Sequence, residues 1–351
     1  MPEKTILVVD DNVLQLKLTG QLLSPDYKTV LVSSGRQALQ FLQSHRPDLI
    51  LLDVAMPEMS GIETLEEIQK IPHNVNIPVI FFTAMDDDSN EFLGLKKGAV
   101  DYITKPIIPE LLLLRVQYQL ELYDHRYRLE QLIKERTDQL NKLKKVTIHS
   151  LANITEYRDT DTGNHIKRTC LYVQVLGTAA LDSSRFAGKI DEKAVESMVT
   201  AAPLHDVGKV GIPDNILNKP GKLTDEEFTI MKQHVVIGEK ALVTAVQELG
   251  FESFLDTACD MATSHHERYD GRGYIKGLAG DNVPLSARIM SIADVYDALC
   301  AKRVYKDPMP HEKACNIIIE GQGTQFDPDL TELFKQKHEA FAEINQQYND
   351  E

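Results

Sequence analysis

Two histidines stand side by side in HHERYDGRGYIKG, residues 265–277, and a charged, glycine-bounded loop follows at once. Adjacent imidazoles at the head of such a loop suit a metal site with a substrate-facing lip, provided the chain supplies further ligands. Four other stretches offer them. TDTGNHIKR gives Asp161 and His165, four apart and so on one face of a helix. APLHDVGKVGIP gives His205 and Asp206, with Lys209 one turn after His205; MKQHVVIG gives His234, and SIADVYDAL gives Asp294. Any one of these alone is more often a satisfied surface or core side chain. With His265 and His266 they amount to six to eight imidazole and carboxylate ligands, enough for two ions. A carboxylate such as Asp206, beside a histidine ligand, can bridge ions about 3.5–4 Å apart that activate a water near neutral pH. Mixed nitrogen and oxygen ligation without cysteine suits Fe, Mn, Ni or Zn, and the ligand types do not choose among them. No serine-histidine-acid or cysteine-histidine arrangement competes.

A second cluster lies near the N-terminus. Asp10 and Asp11 end the apolar run ILVVD, Asp53 ends LILLDV, Thr83 lies in VIFFTA, and Lys105 follows DYIT. If these runs are parallel strands, all five residues meet at one edge of a sheet. Three carboxylates together repel unless a cation joins them, which suggests Mg²⁺ on oxygen ligands. A lysine and a hydroxyl beside them can orient an incoming phosphoryl group.

The elements that must hold these residues differ along the chain. The five apolar runs, 6–10, 29–33, 49–54, 79–84 and 101–104, alternate with amphipathic stretches such as VLQLKLTGQLL. That alternation predicts a doubly wound α/β fold with a five-stranded parallel sheet, whose function gathers at the strand carboxyl ends. From Pro109 a long stretch has no further proline and no glycine, and Leu122, Leu129, Leu132, Ile133, Leu140 and Leu143 stand near heptad spacing. It reads as one long solvated helix or, with Arg136 interrupting the seam, a two-stranded coiled coil making a homodimer. Beyond about residue 147 the pattern is all-α. The expected division is therefore 1–122, a helical connector over 109–150, and 147–351.

Bulk properties narrow the function. A net charge of −15 argues against DNA or other nucleic acid as a non-specific partner. No apolar run approaches a membrane span, and MPEKTILVVDD lacks a signal-peptide core, so a cytoplasmic location is expected. The four cysteines form no CxxC pair and read as reduced thiols.

VVDDN, LLDVAMPEMSG, FFTA and DYITKP resemble the receiver domain of bacterial response regulators over roughly residues 4–122. That resemblance implies a flavodoxin-like fold in which Asp53 accepts a phosphoryl group from a histidine kinase. It also implies that Asp10, Asp11, Asp53 and the Ala55 carbonyl hold Mg²⁺, that Thr83 and Tyr102 switch, and that Lys105 contacts the phosphoryl oxygen. HDVGKVGIPD, HHERYDGRGY, ADVYDAL, RVYK and GTQFDPDL are similar to the HD-GYP branch of the HD phosphohydrolases over about 147–340. This second resemblance implies hydrolysis of cyclic di-GMP to pGpG, and on to GMP as a further product. By position it makes His165, His205, Asp206, His234, His265, His266 and Asp294 metal ligands. Asp206 would bridge, and Lys209, Arg303 and Lys306 would meet the substrate phosphate. Gly273 and Tyr274 belong to the lip, and a diguanylate cyclase is a further expected partner. Two departures stand out. Ile275 replaces the proline of the signature, removing its φ restriction, and Asp161 stands where many members have glutamate. The shorter acid leads us to expect two ions instead of three. Rival readings are a preference for pGpG or another nucleotide phosphoester, and a non-catalytic signalling module that binds nucleotide or a partner.

Overall fold

The computed structural model describes residues 4–71, 76–84, 96–156, 158, 163–300 and 308–348. Asp161, Arg303 and Lys306 lie outside the described residues. The chain divides into two compact units, Met1–Asp138 and Gln139–Glu351.

The first unit runs β1 (Thr5–Val9), α1 (Val13–Leu23), β2 (Lys28–Val32), α2 (Gly35–Leu42), β3 (Leu49–Asp53), α3 (Gly61–Gln69), β4 (Val79–Ala84) and β5 (Asp101–Lys105). The strands are parallel in the order β2-β1-β3-β4-β5. Successive strand residues point to opposite faces, so one core takes Leu7, Val9, Ile50, Leu52 and Phe81 against Leu42, Leu65 and Ile68 of α2 and α3. The other takes Ile6, Val8, Leu51, Ile80 and Phe82 against Leu16 and Leu23 of α1. Burial on both faces is why these strands read as unbroken apolar runs. The order reverses beside β1, and Asp10 and Asp53 leave the sheet at the carboxyl ends of β1 and β3.

Helix α4 is a single helix, Pro109–Glu156. Proline is favoured at its first position because that N–H would have no intrahelical partner. Leu112, Val116 and Leu120, four apart, are buried in the first unit's core. The next apolar positions, Leu122, Leu129, Leu132, Ile133, Leu140 and Leu143, are exposed at 45–66%. Ile148 and Ala152 are buried in the core of the second unit.

The second unit has no β-strand among its described residues. Its helices are α5 (Gly163–Leu181), α6 (Glu192–Ala201), the single turn α7 (Asp214–Leu217), α8 (Asp225–Met231), α9 (Gln233–Leu249), α10 (Phe254–Ser264), α11 (Leu285–Cys300), α12 (His311–Glu320) and α13 (Pro328–Gln347). An aromatic cluster ties three of them together: Tyr172 of α5 stacks on Phe341 of α13 at 4.5 Å, and both meet Tyr296 of α11 edge-on at 5.2 Å. Between α6 and α7 the chain makes two 3-10 turns, Ala202–Leu204 and Val207–Gly211. The second packs directly on α9. A Cβ at Gly208 would lie 1.8 Å from the His234 carbonyl oxygen and 2.6 Å from the Gly238 nitrogen. Backbone cannot yield as a side chain can, so overpacking here should cost about 1–3 kcal/mol. Gly208→Ala is expected to lower the urea midpoint of the helical unit while the first unit's own unfolding signal stays put; an unchanged midpoint would refute this packing.

Candidate metal centre

Three histidines of the centre, His205, His234 and His265, come from different elements, and each is locked by local backbone. His205 ends the turn Ala202–Leu204, and its Nδ1 is 2.8 Å from the Ala202 carbonyl. His234, in the first turn of α9, places Nδ1 2.8 Å from Met231 O. His265 follows α10, whose N-terminus is fixed by a Ser253–Asp256 capping box, and its Nδ1 is 2.8 Å from Met261 O. A carbonyl can only accept, so the proton of each neutral ring sits on Nδ1. Each Nε2 is left facing the interior, away from the backbone that holds Nδ1. These three Nε2 atoms and Asp206 Oδ1 are buried and have no hydrogen-bond partner.

The bare atoms face one another. Asp206 Oδ1 is 3.4 Å from His234 Nε2 and 3.5 Å from His265 Nε2, while its Oδ2 is 3.4 Å from His205 Nε2. Ligand atoms of Asp206, His234, His265 and His266 lie within 4.8 Å of one another, and so do those of His165, His205 and Asp294. Asp206 thus has one oxygen toward each group. Four buried acceptors turned inward are costly unless a cation completes them. Their nitrogen and oxygen chemistry fits divalent metal ions.

The electrostatics agree. Burial holds the His234 pKa below its ordinary value and that of His266 well below, so both rings are neutral and ready to donate a lone pair. Burial disfavours the Asp206 carboxylate, but Lys209, 2.8 Å away, and His205 outweigh it and hold the acid well below its usual range. Burial likewise disfavours a charged His165, yet Asp297, Glu156 and Asp294 prevail and raise its pKa to about 10. That pocket favours positive charge.

Several supports were missed in the sequence. Asp297 is buried, accepts from His165 Nδ1 at 2.7 Å, and is held by the fully buried Arg168 at 2.6 and 2.9 Å. Such an outer acid fixes ring orientation and raises ligand basicity. Helical spacing carried the signal, since Asp297 is three residues after Asp294 and Arg168 three after His165. Glu156, the last residue of α4, lies 3.7 Å from His165 Nε2. No spacing rule points to it, because nine residues separate the two.

The lip packs on the ligands. Tyr274 lies over His266, with centroids 4.5 Å apart and planes tilted by 30°, and meets Phe228 edge-on at 5.8 Å. Gly273 is required by close approach: a Cβ there would stand 2.5 Å from Glu267 Cα. Glu267 in turn accepts the Lys276 amide at 2.9 Å, folding the loop back. Ile275 is 46% exposed.

In the first unit the acidic cluster also forms. Asp10, Asp11 and Asp53 bring ligand oxygens within 4.8 Å, with Asp10 and Asp53 buried and Asp11 exposed. Lys105 Nζ is 2.8 Å from Asp53 Oδ2 and 3.1 Å from Asp10 Oδ2. The Ala55 amide donates to Asp53 Oδ1 at 3.4 Å. Burial raises the Asp53 pKa, with Lys105 partly offsetting it. Thr83 is buried, and the half-buried Tyr102 ring lies 5.9 Å from the Arg115 guanidinium carbon.

Residues 6–117 match the response regulator receiver domain family, and residues 128–330 match the HD domain family. A Vibrio cholerae protein named "Probable cyclic di-GMP phosphodiesterase" is 42% identical over 99% of this chain and 80% of its own length. The Xanthomonas campestris cyclic di-GMP phosphodiesterase response regulator RpfG is 33% identical over 98% of this chain and 90% of its own. A Vibrio cholerae 3'3'-cGAMP-specific phosphodiesterase is 40% identical over 58% of this chain and 37% of its own. This chain belongs to the receiver–HD response regulators of the cyclic di-GMP phosphodiesterase family. As a member it is a metal-dependent phosphodiesterase. No helix among its described residues is long and apolar enough to cross a membrane.

If Asp206 joins both ligand groups, Asp206→Ala should strip most bound metal and cut turnover by on the order of a hundredfold or more, with far-ultraviolet circular dichroism unchanged. Elemental analysis checks it, and a full metal complement in the variant would refute the shared carboxylate.

Proposed function

We propose that this response regulator hydrolyses cyclic di-GMP to pGpG, and further to GMP, at a two-ion site controlled by phosphorylation of Asp53. The observation that carries the two-ion reading is Asp206, with Oδ1 toward His234 and His265 and Oδ2 toward His205. His165, His205 and Asp294 would hold one ion, His234, His265 and His266 the other, with Asp206 between. Ions there would activate a water and offset charge developing on the phosphoryl oxygens. Lys209 is positioned by Asp206 at 2.8 Å, so its ammonium is oriented toward a phosphate before substrate arrives. Tyr274, packed on His266, gives a flat wall against which a base can lie. Arg303 and Lys306 are assigned to the substrate phosphates, and Asp161 is taken as too short for a third ion. The substrate assignment draws on the names of the relatives, and it stands above a non-catalytic role because three inward Nε2 atoms serve no purpose in a mere scaffold.

Regulation draws on α4. The helix begins at Pro109, directly after β5 and Lys105, and ends at Glu156, beside His165. Phosphorylation by a histidine kinase adds charge and acceptor oxygens at Asp53, where Mg²⁺ on Asp10, Asp11, Asp53 and Ala55 would hold the group. Thr83, Tyr102 and Lys105 would follow it. The exposed Leu122–Leu143 seam suits a homodimer whose change of register moves Glu156, giving the two-state element that coupling needs. A diguanylate cyclase remains a partner suggested by the resemblance alone.

A second substrate reading rests on Ile275, which presents an exposed aliphatic side chain on the lip where the signature has proline. It favours pGpG or another nucleotide phosphoester such as 3'3'-cGAMP. Side-by-side hydrolysis should rank cyclic di-GMP first by kcat/KM; a higher value for pGpG or 3'3'-cGAMP would overturn the assignment. Elemental analysis of the same enzyme is expected to find about two ions per chain, and a well-occupied third on Asp161 would refute the arm-length argument. A phosphoryl mimic at Asp53 should raise turnover about fivefold or more, while Asp53→Asn keeps basal turnover and loses the response. Identical kinetics with and without the mimic would remove the regulatory role.

A further inference from the structure

The last two helices of the second unit hold another set of donors. His311 and Cys315 lie four apart on α12, so they share one face. His338 is contributed by α13. His311 Nε2 is 3.0 Å from His338 Nδ1 and 3.5 Å from Cys315 Sγ, and ligand atoms of all three fall within 4.8 Å. We propose that His311, Cys315 and His338 form a separate binding site for a zinc-type divalent ion, clipping α12 to α13.

The spacing is that of a coordination polyhedron. With Zn–N near 2.0–2.1 Å and Zn–S near 2.3 Å, tetrahedral ligands stand about 3.3 Å apart for two nitrogens and about 3.6 Å for nitrogen and sulfur. The observed 3.0 and 3.5 Å lie within a few tenths of an ångström of those two spacings, and the third pair falls within 4.8 Å. Three protein ligands leave a fourth position for water. The two histidines are half-buried, which leaves an ion a route in, while Cys315 is buried beneath them.

An outer partner is also in place. Tyr296 Oη lies 2.8 Å from His311 Nδ1 and can accept that N–H, which leaves Nε2 as the ligand atom. In the ion's absence a proton shared between His311 and His338 serves the same two nitrogens, so proton and metal compete for one place. Burial favours neutral His311, as a ligand must be. Burial also raises the Cys315 thiol to about 11, so binding releases its proton to solvent as the thiolate–metal bond forms. Tyr296 stands between Asp294 and Asp297 on α11, the helix that faces His205 and His165. An ion at the clip therefore bears on a helix of the catalytic centre without sharing a ligand with it.

Cobalt(II) distinguishes the two sites, because the catalytic set contains no cysteine and only a cobalt–thiolate bond gives a near-ultraviolet charge-transfer band. The full chain, stripped with chelator and titrated with Co²⁺, should develop this band. Cys315→Ser and His338→Ala should each lose it together with about one bound ion per chain, while Asp206→Ala should keep it. His338 is half-exposed, so its replacement spares the core, and thermal unfolding of the stripped proteins would confirm equal folding. A band absent from the wild-type chain, or persisting in Cys315→Ser, would overturn the proposal.

Discussion

The buried carboxylate of Asp206 sets the terms for the whole second unit. It is an anion surrounded by imidazoles whose inward nitrogens have no hydrogen-bond partner, in an interior where an uncompensated charge costs several kcal/mol. Lys209 compensates one oxygen from the side. The other oxygen and the three Nε2 atoms have no hydrogen-bond partner among the described residues, and a cation would answer all four. A hydrophobic core that simply sought stability would have closed over apolar residues here.

Holding acceptors face to face requires that nothing turn away. The backbone does most of this. Three histidines are each pinned through Nδ1 by a carbonyl three or four residues earlier, so their orientation comes from the same short turns that bring them to the centre. His165 lacks such a carbonyl and is pinned instead by Asp297, which is itself clamped by Arg168. Gly208 lets the turn bearing Asp206 approach α9 at backbone contact, and Gly273 lets the lip close over Glu267. Small residues and outer hydrogen bonds thus carry the precision that the ligands need.

The first unit meets a related problem on a smaller scale. Asp10 and Asp53 are brought together where two strands of a parallel sheet end, and Lys105 from a third strand end bridges them. Lys105 offsets part of the charge of the three acids, and Asp53 stays buried at the end of its strand. α4 links this cluster in sequence to Glu156. Along its middle Leu122, Leu129, Leu132, Ile133, Leu140 and Leu143 are exposed.

The α/β architecture was readable from the sequence because strands buried on both faces must be continuous apolar runs, and all five were found within a residue or two. The all-helical second unit was readable for the complementary reason, a 3.6-residue pattern with no strand-like run. Residue types and short motifs also singled out His165, His205, Asp206, His234, His265, His266 and Asp294, which the fold gathers into two neighbouring groups, since each motif is local. What the sequence could not supply was direction. Which oxygen of Asp206 faces which imidazole, and that Nδ1 of three rings is consumed by backbone, follow from turns whose geometry depends on packing against α9 and α10. Asp297 and Glu156 reach His165 only because α11 and the end of α4 converge on it from distant parts of the chain. His311, Cys315 and His338 come together for the same reason: α12 and α13 pack on one hydrophobic core, and no spacing along a chain records a contact made across it.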